Sequence, residues 1–208
     1  MPYGTGGSMM DVSEGEMRWQ IYTSLALGAK GVLYFCYWSP VHDPTFLRGQ
    51  AIMTPRAVEP GKLPTIDQQV PSQKYPIVQR LNAKLKVLGN FLLKRASSAV
   101  VQRNGAATET RQIAHPVLQA INGTNTGATW EFLLGFFDSN STVLLVNQDS
   151  DHPALASLSL AHGAALQEVD GSSGAVAAAV DDSPLLPGFQ ISLLPGDGRL
   201  FLLGSVDP

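Results

Sequence analysis

The sequence predicts an α+β chain in which a helix, a strand and a helix from the C-terminal part of a (β/α)8 barrel precede an antiparallel β-sandwich. An amphipathic segment over residues 13–30 leads directly into a nearly all-apolar run over residues 31–38, which is the order found in an α/β unit. A second segment with helical periodicity follows within residues 76–93. After Arg95 the pattern changes to short β-type runs separated by turn residues, which is typical of a sandwich.

The first helix is predicted from its start signal and from its apolar face. Ser13 is a favourable N-cap residue, and Glu16 follows three positions later, as in a capping box. Met17, Ile21 and Leu25 then recur every four residues, which places them on one side of a helix.

The run over residues 31–38 is apolar at nearly every position, as in parallel strands that are buried on both faces. The residues before Ser13 are Gly-rich and offer no neighbouring strand, so we expect the chain to start near the end of a larger fold. A strand without neighbours has two unpaired edges, and we expect it to pack poorly or to self-associate. Tyr34, Phe35 and the single cysteine, Cys36, are expected to be buried within it.

A proline-rich connection over residues 39–74 separates this run from the second helix. In a barrel the connection would lie on the rim where ligands bind, because it follows the C-terminal end of a strand. The second helix is predicted from Pro76 to residue 93, since its apolar side chains alternate by three and four: Val78, Leu81, Leu85, Leu88 and Leu92.

The sandwich is predicted from the number and spacing of the runs that follow. The domain boundary divides the chain into residues 1–95, the barrel portion, and residues 96–208, the sandwich. Nine strands are expected, over residues 99–103, 117–121, 130–137, 142–147, 156–160, 166–169, 175–180, 189–194 and 199–203.

Composition excludes several classes of partner. The chain has 208 residues and a net charge of −3 without a basic stripe, so no nucleic-acid partner is expected. The longest apolar runs fall short of the roughly 20 residues that cross a bilayer, so no membrane partner is expected. The N-terminus lacks the charged and apolar regions of a signal peptide, and we expect a soluble chain.

Four groups of residues resemble parts of a glycoside hydrolase. The order GEMR at residues 15–18, LALGAKGVLYF at residues 25–35 and then Tyr37-Trp38 is similar to the last α/β unit of the β-galactosidases of glycoside hydrolase family 42 and their relatives. The closing run LPGDGRLFLL at residues 194–203 is similar to the end of the sandwich in bacterial glycosidases.

The resemblance implies a (β/α)8 barrel that hydrolyses β-linked glycosides, galactosides among them, with retention, using two carboxylates near the ends of its fourth and seventh strands. The aligned segment starts after the seventh strand, so no catalytic residue is carried over to this chain. Glu14 and Glu16 are instead interpreted as carboxylates that stabilise the start of a helix, because positions two apart on a helix do not face each other.

The candidate substrate-binding residues are Tyr37, Trp38, His42 and Asp43. Sugar rings pack on aromatic side chains, and Tyr37 and Trp38 stand at the predicted strand end, although either one could instead be a core or interface residue. Strand alternation predicts that the two side chains point to opposite sides. His42 and Asp43 follow on the rim and could contact a sugar, or could simply be solvent-exposed.

No cofactor or metal is expected, because the histidines are isolated and no phosphate-binding glycine loop follows a strand. The expected partner is a carbohydrate. In the alternative interpretation the sandwich is a non-catalytic carbohydrate-binding or structural module. Such modules present exposed aromatics, and Trp130 is the only tryptophan in that half of the chain.

Overall fold

The computed structural model describes residues 12–38, 51–55, 68–107, 109–126 and 129–205, which form an α+β fold. Contacts divide these residues into two compact units, one of residues 12–14, 32–38, 51–55 and 68–83, the other of residues 15–31 and 84–205. The elements in chain order are α1 (Glu14–Ala26), β1 (Met53–Pro55), β2 (Gln69–Pro71), α2 (Lys74–Leu92), β3 (Ser97–Ala106), β4 (Arg111–Gln112), β5 (Leu118–Asn125), β6 (Thr129–Phe137), β7 (Thr142–Asn147), β8 (Ala154–Leu160), β9 (Ala164–Val169), β10 (Val176–Ala178), β11 (Phe189–Leu193) and β12 (Gly198–Ser205).

The larger unit contains two antiparallel sheets that pack like a sandwich. One sheet has the strand order β10-β9-β12-β7-β6-β3, and the other has the order β11-β8-β5-β4. All nine strands expected after Arg95 are confirmed, with ends that differ by up to four residues. The two-residue strand β4 was not predicted, because its residues Arg111 and Gln112 show no apolar alternation.

The core of this unit draws on strands of both sheets. Trp130 is 1% exposed and stacks on Phe132 with 5.5 Å between ring centroids. The hairpin of β6 and β7 pairs Phe137 with Thr142 across a turn in which three consecutive non-glycine residues have positive φ: Asp138, Ser139 and Asn140. The strands on either side of this turn are long and apolar, and each of them is flanked by a further strand of the six-stranded sheet.

Helix α1 covers the second face of the six-stranded sheet. Every residue of β7 is buried, although only alternate ones, Val143 and Leu145, belong to the core between the sheets. A Cβ atom on Gly135 would lie 2.3 Å from the carbonyl oxygen of Ala26, and one on Gly198 would lie 2.7 Å from Cδ1 of Tyr22. Glycines in β6 and β12 therefore let the helix approach the sheet backbone closely.

The smaller unit contains the short antiparallel pair β1–β2 and the start of α2. The Ser72 hydroxyl accepts a hydrogen bond from the backbone N–H of Lys74 at 3.1 Å and lies 2.8 Å from the carbonyl oxygens of Ala51 and Ile52. Ser72 therefore acts as the N-cap of α2 and ties it to the preceding segment. The helix predicted within residues 76–93 is confirmed, and it starts two residues earlier than expected, with Pro76 in its first turn.

The strand expected over residues 31–38 is absent, and the described residues show no barrel. Leu33 is 95% exposed and Phe35 is 76% exposed, whereas Tyr34 and Cys36 are half-buried, so the expected burial was wrong for Phe35 and is only partial for Tyr34 and Cys36. A strand exists only where neighbours accept its backbone hydrogen bonds, and here the segment gains a single parallel bridge, between Trp38 and Met53. Within the described residues, no helix has the length and apolar character needed to cross a membrane.

Candidate functional site

Tyr37 and Trp38 form an exposed aromatic pair in the smaller unit. Their ring centroids lie 4.8 Å apart at an interplanar angle of 87°, an edge-to-face arrangement. The expectation that the two rings point to opposite sides was wrong, because the backbone is not an extended strand here. The two residues are 45% and 41% exposed, so part of the pair is accessible to solvent.

The backbone next to the pair is held by few bonds. The N–H of Met53 donates to the carbonyl oxygen of Tyr37 at 2.8 Å, and the thiol of Cys36 donates to the carbonyl oxygen of Trp38 at 2.9 Å. The Tyr34 hydroxyl donates to Oδ1 of Asn82 at 3.0 Å, and its burial raises the pKa of this hydroxyl. The aromatic pair is therefore anchored through the main chain, and neither ring has a polar partner among the described residues.

The other two predicted site residues, His42 and Asp43, lie outside the described residues. Among the described residues of the smaller unit, Glu14 is the one carboxylate, and it lies 3.2 Å from Nη2 of Arg80. A retaining glycosidase needs two carboxyl groups about 5 Å apart. The described part of this unit cannot supply such a pair.

Trp130, the aromatic residue considered for a sugar-binding face of the sandwich, is enclosed in the core. Its Nε1 donates to the carbonyl oxygen of Ala106 at 2.8 Å, and its ring is packed on Phe132. The indole is therefore satisfied internally and presents no surface to a ligand.

A polar pocket of about 320 Å³ opens in the larger unit, between helices α1 and α2 and the strands β9 and β12. Its wall includes two cationic and three anionic side chains, those of Lys84, Arg199, Glu168, Asp170 and Asp197. No sequence pattern marks this set, since its members come from a helix, the ends of two strands and two turns that are far apart along the chain.

Arg199 is held by two carboxylates at the edge of the pocket. Its Nη2 lies 2.6 Å from Oε2 of Glu168, and its Nη1 lies 2.6 Å from Oδ2 of Asp182. The hydrogen bonds that Arg199 donates to Glu168 are the main cause of its raised pKa, and they outweigh the effect of burial. The ion-pair network therefore forms part of the pocket wall, and its two carboxylates and one guanidinium leave one net negative charge.

Asp170 is satisfied by its own turn. The Ser172 hydroxyl donates to Oδ1 at 2.6 Å, and the Ser173 hydroxyl and backbone N–H donate to the same atom. These bonds, that of the Ser172 side chain first, hold the pKa of Asp170 well below its ordinary value. The carboxylate therefore shapes the turn at residues 170–173.

Asp197 is the least satisfied group in the pocket. It is 8% exposed, and its Oδ1 has no hydrogen-bond partner among the described residues, although the carboxylate also accepts a bond from the Tyr22 hydroxyl. Burial, and then the charge of Asp197, raise the pKa of Tyr22. In the sequence, Asp197 stands between Gly196 and Gly198 and looks like an ordinary turn residue, so no sequence signal marks it.

Lys84 faces the same pocket from α2. Its side chain lies against Gly171, and its ammonium group makes no ion pair or hydrogen bond with any residue in the described ranges.

Among the described residues, no group of three or more His, Cys, Asp or Glu side chains is arranged to hold a metal ion. No protein family model, curated protein or solved structure matches this chain.

Proposed function

We propose that this chain supplies the last α/β unit and the accessory sandwich of a retaining β-glycoside hydrolase similar to the β-galactosidases of glycoside hydrolase family 42. In this proposal Tyr37 and Trp38 form the sugar-contacting platform, and the catalytic carboxylates belong to strands outside this chain. The main support is the exposed edge-to-face pair, which stands at a parallel backbone bridge. Such a pair offers a sugar ring an apolar surface.

The exposed side chains around the pair support the same proposal. Leu33 and Phe35 precede it and expose apolar surface that a soluble chain normally buries. Neighbouring parallel strands of a barrel would cover these side chains and pair the backbone of residues 31–38.

The first test of the proposal is hydrolysis. We expect the purified chain to release no nitrophenol from 4-nitrophenyl β-galactoside, because the described carboxylate of the smaller unit is paired with Arg80. Turnover that disappears when a carboxylate of this chain is changed would contradict the proposal.

The second test is binding, followed by tryptophan fluorescence while methyl β-galactoside is added. We expect a change in emission that is lost in Trp38→Ala and kept in Trp19→Ala, the same change at a second exposed tryptophan. A response that persists without Trp38 would refute the proposal that Tyr37 and Trp38 form the sugar-contacting platform.

The alternative module, with Trp130 as its binding residue, loses its support because that ring is buried.

A further inference from the structure

We propose that the pocket around Asp197 and Lys84 is a binding site for a neutral polyhydroxylated ligand, a monosaccharide or cyclic polyol. The site lies in the larger unit, does not include Tyr37 or Trp38, and does not depend on the proposed hydrolase function. Its volume of about 320 Å³ is at the lower end of the range for small-molecule sites, about 300–1,000 Å³.

The first argument concerns which polar groups are still available. Glu168 and Asp182 are engaged with Arg199, and Asp170 accepts bonds from its own turn. That leaves the carboxylate of Asp197, whose buried Oδ1 has no partner among the described residues, as an acceptor and the ammonium of Lys84 as a donor. Buried polar atoms in proteins are nearly always hydrogen-bonded, so an unpaired carboxylate oxygen at a pocket indicates a missing donor.

The second argument concerns charge. Three carboxylates line the pocket, and an anionic ligand would be repelled by them. Lys84 and Arg199 line it too, and the ammonium of Lys84, which has no ion-pair partner among the described residues, would repel a cation bound beside it. A neutral ligand avoids both penalties if it donates to Asp197 and accepts from Lys84.

Hydroxyl groups meet this requirement, because each one is both a donor and an acceptor. Adjacent hydroxyls on a sugar or cyclitol ring can donate one proton to a carboxylate and accept from an ammonium at the same time. The apolar side chains of Leu88 and Leu200 in the pocket wall suit the C–H surface of such a ring.

The experiment is a titration of the full chain followed by ¹⁵N-correlated NMR, with D-galactose, D-glucose and myo-inositol as probes. We expect at least one probe to shift the amide signals of Gly171, Ser172 and Gly198 saturably, with a Kd on the order of 1 mM. We expect Lys84→Met to weaken this binding about tenfold, because it removes one charge-assisted hydrogen bond. Asp197→Asn is expected to weaken it similarly.

Lys86→Met is the matched control, because Lys86 lies on the same helix and is exposed. It should leave the affinity unchanged, and so should Trp38→Ala, which separates this site from the proposed platform. If Asp197→Asn fails to fold, Lys84→Met still decides the question. The proposal is overturned if no probe shifts these amides at about 100 mM, if Lys84→Met binds as well as the unchanged chain, or if phosphate or glycine binds there more tightly.

Discussion

At the scale of single residues, two glycines decide how α1 meets the sheet. Gly135 lies under Ala26, and Gly198 lies under Tyr22, at separations that leave no space for a methyl group. These positions require glycine because it has no side chain. Any larger residue would push the helix away from the sheet.

We expect Gly135→Ala to lower the free energy of unfolding by about 1–3 kcal/mol, because the added Cβ would meet helix backbone that cannot rotate away. The measurement is chemical denaturation followed by circular dichroism. Gly89→Ala in α2 is the control, since the atom nearest to its Cβ would be 3.9 Å away. It should raise stability by about 0.5–1 kcal/mol. Equal effects of the two substitutions would show that α1 does not pack on Gly135.

The candidate sites also differ at this scale in how visible they are in the sequence. Tyr37 and Trp38 are two adjacent aromatics after an apolar run, a local pattern that sequence inspection finds. Asp197 and Lys84 are separated by more than a hundred positions, and each looks ordinary alone. Only packing brings them to one pocket and leaves an oxygen of Asp197 without a partner.

At the scale of elements, the connection between β7 and β8 is what docks α1. Nε2 of Gln148 donates to the Thr23 hydroxyl at 3.0 Å, and Nε1 of Trp19 donates to Oε1 of Gln148 at 3.2 Å. A Cβ on Gly15 would lie 2.0 Å from the carbonyl oxygen of Ser150. The connection therefore contacts α1 from Gly15 to Thr23.

Asp149 gives this connection its shape, and its ionisation should make stability depend on pH. Burial raises the pKa of its carboxyl, but bonds from the Asn125 side chain and from the backbone N–H groups of Asp151 and His152 outweigh burial and hold the pKa below its ordinary value of 3.8. A lowered folded-state pKa stabilises the fold above the unfolded value. This contribution is lost as the pH falls below about 4 through the folded-state pKa.

We therefore expect Asp149→Asn to lower the free energy of unfolding by about 1 kcal/mol at pH 7 and to flatten its decline below about pH 4. Thermal denaturation from neutral to acid pH measures both effects. Asp151→Asn removes an exposed neighbouring carboxylate and should change the pH profile little. A variant profile parallel to that of the unchanged chain would contradict the role assigned to Asp149.

At the scale of the whole molecule, the exposed segment over residues 31–38 stands out. Leu33 and Phe35 present apolar surface, and the backbone beside them gains a single described bridge. Unpaired backbone next to exposed apolar side chains promotes association between chains. The expected self-association therefore stays a prediction that rests on this segment.

We expect the average mass of the chain in sedimentation experiments to rise with concentration, and the paired change Leu33→Ser with Phe35→Ser to reduce that rise. The control is Leu185→Ser with Leu186→Ser, which removes two exposed leucines from another loop. Equal effects of the two pairs of substitutions would show that the chains associate non-specifically through any exposed apolar side chain. Slow amide exchange throughout residues 31–38 in a monomer would contradict association through this segment.

The sequence alone determined the elements whose signal is local. Both helices and nine strands follow from apolar periodicity and turn residues, which depend on neighbours along the chain. Tertiary structure decided three things: the irregular course of residues 31–38, the burial of Trp130, and the pocket at Asp197. Each depends on which distant backbone and side chains are present to pair or to pack, and periodicity carries no information about them.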